Sequence, residues 1–389
     1  GRCVRFMRDI MHDEVLTMSQ RGTFNAITVY PGRELDSNYS MNTVDLCPVG
    51  ALTSKDFRFK MRVWFLKETK TIDVDCGTGT NITLWTREDK VYRITPRQND
   101  AVNSCWMPDS HRLNYKYINA ETRIPQPVIR TDAEAPHRPS TWEPALASAA
   151  EAVKRIAPNQ LAIIASGRMT NEELYMVRHL AAQIGTDMVD IVPRMGESDG
   201  MLISADRNPN TNGARLVLDI EPGSRLDAIR EGVRSGSIKG ILSLGEDLIS
   251  PEAGFTAEDL DKLDYLFMTA HSANETARHA DLVLPGVTYA EKFGTMINVT
   301  GRIQRLNRAI QPIGYARDDW QIFRDITLLL GGNPALKDFN SALDILTAMS
   351  TEYGALNGVS WGSIGDGGQP ILETGVTIPV VEREKNQGR

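Results

Sequence analysis

Thiols are scarce in this sequence: four cysteines in 389 residues, and none after Cys105. So sparse a set excludes a disulfide scaffold and suits a reducing compartment. Apolar runs are short as well. Nowhere do about 18 apolar residues follow one another, so no segment reads as a membrane-spanning helix. Basic charge is not in excess: 43 Lys and Arg stand against 50 Asp and Glu, a net charge of −7, which argues against nucleic acid as the principal partner. No secretory signal and no repeat at a fixed period are visible. A Ser-His-Asp arrangement, a His-Glu-x-x-His helix and a Walker loop are all missing, so no catalytic residue is assigned. What remains is an ordinary globular composition, 41% hydrophobic and 24% charged, in a chain long enough for two or three domains.

The few thiols are informative in their settings. Cys47 lies in Asp45-Leu46-Cys47-Pro48-Val49-Gly50-Ala51-Leu52, and Cys3 in Arg2-Cys3-Val4-Arg5-Phe6. Cys-Pro followed by a small, Gly-containing turn is how many ferredoxin-type chains present their last thiolate to an iron–sulfur cluster. Proline removes a backbone donor, and Gly50 lets the chain turn closely around an inorganic core. In such proteins Cys-x-x-Cys-x-x-Cys supplies the other three thiolates. The chain starts, on a glycine, two residues before what would be the third of these, so two more ligands are expected upstream of residue 1. The competing reading leaves Cys3 and Cys47 as unrelated thiols, each acting as a small hydrophobe.

Further along, helical spacing of Phe6, Met7 and Ile10 predicts a helix over Arg2 to Met18, with Arg5 and Arg8 either offsetting a cluster's charge or simply solvated. Ile27 to Tyr30 reads as a short strand. Phe57 to Trp64 alternates apolar and basic residues and predicts a half-buried strand whose basic face is solvated or meets an acidic partner. The texture changes near Lys70. Pro125 to Pro144 reads as a surface linker. Beyond it, helices alternate with short apolar runs at Gln160–Ala165, Met188–Val192, Lys239–Gly245, Tyr265–Ala270 and Asp281–Pro285. That alternation predicts an α/β domain with a largely parallel sheet. Thr170 and Glu173 match a capping box opening a helix to Ile184. Helices follow Asp318 and Asn340, and the charged stretch from Glu382 to Arg389 reads as a frayed end.

Several ordered motifs carry a family resemblance. Residues 71–112 resemble the small cluster-binding module that opens molybdopterin oxidoreductases, with ligand positions falling on Asp73, Cys76, Thr80 and Pro108. One thiol cannot hold a four-iron cluster, so no second cluster is expected there. His271–Ala277, Ala280–Pro285, Glu291–Thr295 and Asn298–Gln304, with Ser198–Gly200 and Asn208–Ala214, resemble loops that lie near the pterin dinucleotide in that superfamily. Here they are expected to survive as tight turns and helix caps, with His271 structural and His12 on the surface. Joined to the Cys47 segment, these motifs resemble the large iron–sulfur subunit of NADH-quinone oxidoreductase, respiratory complex I.

The resemblance implies three parts: 1–70, the C-terminal part of a [4Fe–4S] ferredoxin-like domain; 71–125, a degenerate cluster-binding β module; and 126–389, a molybdopterin-oxidoreductase-like α/β domain. It implies an electron relay from NADH, by way of flavin and iron–sulfur clusters, towards quinone. Cys3 and Cys47 would ligate one [4Fe–4S] cluster, with further clusters in a longer chain and no molybdopterin. Arg5 and the amides from Val49 to Ala51 would tune it. The implied partners are the flavoprotein and quinone-module subunits of complex I, on the cytoplasmic face of a bacterial inner membrane or the matrix side in mitochondria. The rival readings are an active molybdenum enzyme of the formate dehydrogenase kind, a cluster-free structural subunit, and the matching subunit of an NAD-linked hydrogenase.

Overall fold

The computed structural model describes residues 1–20, 22–130 and 135–386. Helix α1 (Arg2–Arg5) widens into a π-helical turn that ends at Ile10. The helix expected over Arg2 to Met18 therefore stops early. Val15 and Leu16 are buried, and β1 (Leu16–Ser19) pairs antiparallel with β2 (Ala26–Val29), so cross-strand pairing overrides the helical spacing. Helix α2 (Asn42–Leu46) delivers the chain to Cys47. Phe57 to Trp64 is not a strand. Residues 55–60 form turns and Val63–Phe65 a 3-10 turn, with Phe59 91% and Trp64 72% exposed. No described strand pairs with this segment, so its alternation has no sheet face to bury. Arg58 instead stacks over Phe59 at 4.6 Å, and Arg93 over Phe57 at 4.6 Å.

An antiparallel meander follows: β3 (Lys67–Ile72), β4 (Asn81–Arg87) and β5 (Lys90–Pro96). The β4–β5 turn places Glu88 and Asp89 at positive φ, the conformation that two-residue hairpin loops require. The chain then enters α3 (Asp109–Leu113).

Two short edge strands, β6 (Val128–Ile129) and β7 (Arg138–Pro139), come from the expected linker; residues 131–134 of it lie outside the described residues. After α4 (Trp142–Arg155) the chain alternates β8 (Leu161–Ala165), α5 (Asn171–Ile184), β9 (Val189–Ile191), α6 (Thr211–Leu218), α7 (Leu226–Ser235), β10 (Gly240–Leu244), α8 (Ala257–Leu260), β11 (Tyr265–Ala270), α9 (Glu275–His279) and β12 (Leu282–Pro285). The sheet order is β7-β6-β12-β11-β10-β8-β9, with β9, β8, β10, β11 and β12 parallel and β6 and β7 antiparallel at one edge. All five residues of β8 and all six of β11 are buried, because helices cover both faces. Leu161 and Ile163 pack with α4 and α5, while Ala162 and Ile164 pack with α7.

The hairpin β13 (Gly294–Ile297) and β14 (Arg302–Leu306) leaves the main sheet. It is followed by α10 (Asp319–Leu329), α11 (Ala342–Glu352), α12 (Trp361–Ile364), β15 (Gln369–Pro370) paired to β14, and α13 (Pro379–Asn386). Of the charged end from Glu382 to Arg389, residues 387–389 lie outside the described residues. Among the described residues no helix is long and apolar enough to cross a membrane.

Candidate functional site

Cys3 is buried on α1, and Cys47 sits half-buried at the C-terminal end of α2. The two helices pack against each other, and Leu46 rests on the same apolar cluster that holds Cys3, Phe6, Met7 and Trp106. The loop after Cys47 folds back on the sulfur. Gly50 takes φ +64°, and the Ala51 amide donates to Cys47 Sγ at 3.2 Å. Backbone amides of Leu52, Val49, Ala51 and Gly50 converge there and hold the thiol below its usual pKa. An amide cradle of this kind stabilises sulfur that carries negative charge. Arg5 and Arg8 do not turn towards it: both are exposed and pair with Asp9, at 3.6 and 2.7 Å.

Helix α2 is held by the segment before and within α3. Asn42 exchanges two hydrogen bonds with the Met107 backbone, at 2.9 and 3.1 Å. Asp109 accepts from Ser40 Oγ at 2.6 Å and from the Met41 amide at 3.0 Å, at the start of α2. Arg112 donates to Asp45 at 2.5 Å. The face between them carries His111 the other way, where its Nδ1 lies 2.7 Å from Asp73 Oδ2. Cys76 completes a trio: one ligand atom from each of Asp73, Cys76 and His111 lies within 4.8 Å of the other two, and all three residues are buried. Burial, then the charge of Asp73, pushes the Cys76 thiol up to about 11 and Asp75 up to about 7. Burial works against the His111 imidazolium, but the Asp73 carboxylate overrides it and raises His111. His111 escaped the sequence reading because the family pattern directs attention to cysteine positions. The available signal was Asp73-x-x-Cys76 with a histidine downstream.

The carboxyl ends of β8, β10 and β11 open on a crevice where strand order reverses, since β9 lies on one side of β8 and β10 on the other. This is where open α/β sheets take ligands. Here side chains fill it. Arg168, Met169, His271, Tyr289, Lys292 and Asp319 leave a cavity of ≈ 90 Å³, against the roughly 300–1,000 Å³ of small-molecule pockets. Lys292 is buried on both carboxylate oxygens of Glu173, at 2.8 and 2.9 Å. Burial, then Arg123 and Lys292, pushes His271 down to about 4, and its carbonyl accepts from Arg123 at 3.0 Å. The surrounding motifs serve the fold. Asn274 caps α9. Asn298 Oδ1 takes the Thr300 and Arg302 amides, and Glu291 takes the Thr288 amide and Arg123. The space left in this crevice is too small for a pterin dinucleotide.

Family models match three stretches. Residues 1–53 match the NADH-quinone oxidoreductase subunit 3 ferredoxin-like domain; 66–116 match the NADH-ubiquinone oxidoreductase NDSU1/NuoG-like 4Fe-4S domain; 193–327 match molybdopterin oxidoreductase. Among curated relatives, the mitochondrial NADH-ubiquinone oxidoreductase 78 kDa subunit of Candida albicans is 27% identical over 87% of this chain and 63% of its own length. The homologous NADH-quinone oxidoreductase subunit of Rickettsia felis is 26% identical over 84% of this chain and 65% of its own length. That of Rickettsia prowazekii is 34% identical over 83% and 48%. The chain thus spans less than two thirds of these relatives. Acetylene hydratase from Pelobacter acetylenicus superposes with a TM-score of 0.56 at 10% identity, covering 76% of this chain and 73% of its own, which shows a shared fold alone. The 66–116 stretch contains two thiols, Cys76 and Cys105, so by itself it does not supply the four thiolates of a four-iron cluster. By its matched domains and relatives, the chain is a homologue of the large iron–sulfur subunit of bacterial NADH-quinone oxidoreductase and of its mitochondrial 78 kDa counterpart.

Proposed function

We propose that this chain is an electron-relay subunit of NADH-quinone oxidoreductase, in which Cys3 and Cys47 supply two of the four thiolates of a [4Fe–4S] cluster. The observation that carries the reading is the amide cradle around Cys47 Sγ, on a helix that touches the one bearing Cys3. A cluster bound there takes up and passes on one electron at a time. The chain's own part is to present both sulfurs, donate N–H bonds to Cys47, and exclude water with Phe6, Met7 and Trp106. No substrate chemistry is assigned to it. The functional division follows: 1–70 for the cluster, 71–125 as the β module, 126–389 as the pterin-type scaffold.

Its partners are the flavoprotein and quinone-module subunits, and its place is peripheral, on the cytoplasmic face of a bacterial inner membrane or the matrix side in mitochondria. The exposed run of Val49, Phe59, Val63, Trp64 and Phe65 beside the cluster segment supports burial against a neighbouring subunit. Electron paramagnetic resonance of the reduced complex tests the cluster assignment. Cys47→Ser removes one cluster signal and Cys105→Ser leaves it. If Cys3→Ser and Cys47→Ser both keep every signal of the wild type, the relay assignment fails.

A further inference from the structure

We propose that Asp73, Cys76 and His111 bind one divalent transition-metal ion, zinc by preference, where the match of residues 66–116 to a 4Fe-4S domain leads one to look for a cluster. A carboxylate oxygen, a thiol and an imidazole nitrogen converge within 4.8 Å, all buried. A tetrahedral zinc ion holds such atoms at about 2.0–2.3 Å, hence roughly 3.3–3.7 Å apart. Reaching that geometry needs only a small closing of the trio and a small opening of the 2.7 Å contact between His111 and Asp73. The donor set discriminates among ions. Calcium and magnesium take oxygen ligands, and a four-iron cluster takes four thiolates, whereas one O, one N and one S suit a borderline ion.

The three ligands come from separate, firmly held elements. Asp73 follows the end of β3, and its amide donates to Thr80 O at 2.8 Å, one step beyond the ladder pair Ile72 and Asn81. Cys76 opens a tight loop in which a Cβ on Gly77 would press on Val299 Cγ1 and one on Gly79 on Gln304 Oε1, so either side chain would have to shift. His111 rides on α3, which Asp109 and Arg112 tie to α2. A second, independent observation comes from Thr80. Opposite Asp73 across the ladder, it is 1% exposed, and its Oγ1 finds no hydrogen-bond partner among the described residues. A buried hydroxyl without a partner has given up its bonds to water and gained none in return. A fourth ligand on the ion gives that hydroxyl a partner.

The test is metal binding by the full chain, read by mass-spectrometric metal analysis after equilibrium dialysis against zinc. The wild type should retain about one zinc per chain beyond any iron. Cys76→Ser and His111→Gln should each weaken retention at least about tenfold, and Cys105→Ser should not. Cobalt substituted for zinc should give a thiolate-to-cobalt charge-transfer band that Cys76→Ser abolishes and Cys47→Ser leaves. A near-ultraviolet circular dichroism spectrum like the wild type's shows that the Cys76→Ser chain is folded. If folded Cys76→Ser retains as much zinc as the wild type, or the wild type retains none, the site is overturned. The Cys47-dependent paramagnetic signal persists in Cys76→Ser in either case, so this outcome is separate from that of the relay.

Discussion

Glu172 is a carboxylate where the fold prefers a neutral group. It is fully buried, takes the Thr295 amide at 2.8 Å, and meets Thr295 Oγ1 at 2.8 Å. Burial pushes its pKa from 4.5 up to about 7. A raised folded-state pKa means that the folded chain binds more protons than the unfolded one between those values. The stability linked to this group is therefore complete below about pH 4.5 and is lost as pH rises through about 7. Asp319, buried beside Glu173 and Lys292, follows the same direction. Glu172→Gln should accordingly be more stable than the wild type by roughly 2–3 kcal/mol at about pH 8, and near equal at about pH 4.5. Urea midpoints at both pH values check this, and an equal gain at both would refute it. The same buried chemistry explains what sequence reading missed. Cys47 announced itself through Pro48 and Gly50, which are local. His111 meets Asp73 from 38 positions away, and only the packing of α3 on the meander brings them together.

Helix α5 shows what local sequence reveals at the next level up. Thr170 Oγ1 accepts the Glu173 amide at 3.2 Å and the Glu173 carboxylate accepts the Thr170 amide at 2.8 Å, the reciprocal pair that Thr-x-x-Glu predicts. Gly185, at φ +80°, ends the helix. Thr170→Ala should cost about 1 kcal/mol, and Thr170→Ser should recover most of it, as read from thermal midpoints. Caps and continuous apolar strands were legible because both depend on neighbours in sequence. Elements that depend on distant partners were not. Leu16–Ser19 became a strand only through β2, and Phe57–Trp64 failed to become one for want of a partner. The loop motif at Asn208–Ala214 runs into α6, and Asn210 at its N-cap position makes no side-chain cap but braces Met169 and Ile297, a role set by distant partners.

The β module and the α/β domain share one interior. Ile72, Ile82, Leu84 and Ile94 pack with Tyr289, Met296, Leu306 and Ile310 in a single apolar cluster. The loop from Cys76 to Thr80 is stitched to the far side: Gly77 N to Asp206 O at 2.8 Å, Val299 N to Gly77 O at 2.8 Å, Asn298 Nδ2 to Thr78 O at 3.0 Å, and Gln304 Nε2 to Gly79 O at 2.9 Å. Six of the fifteen buried residues of that cluster come from the α/β domain, so opening the module exposes apolar surface on both sides. Calorimetry should therefore show the module and the α/β domain melting in one transition. Gly79→Ala forces a Cβ at φ +63° against Gln304 and should lower that single midpoint without splitting it. Two resolved transitions, with the module melting first, would mean that the meander is a docked unit and that the shared cluster contributes little to holding it in place.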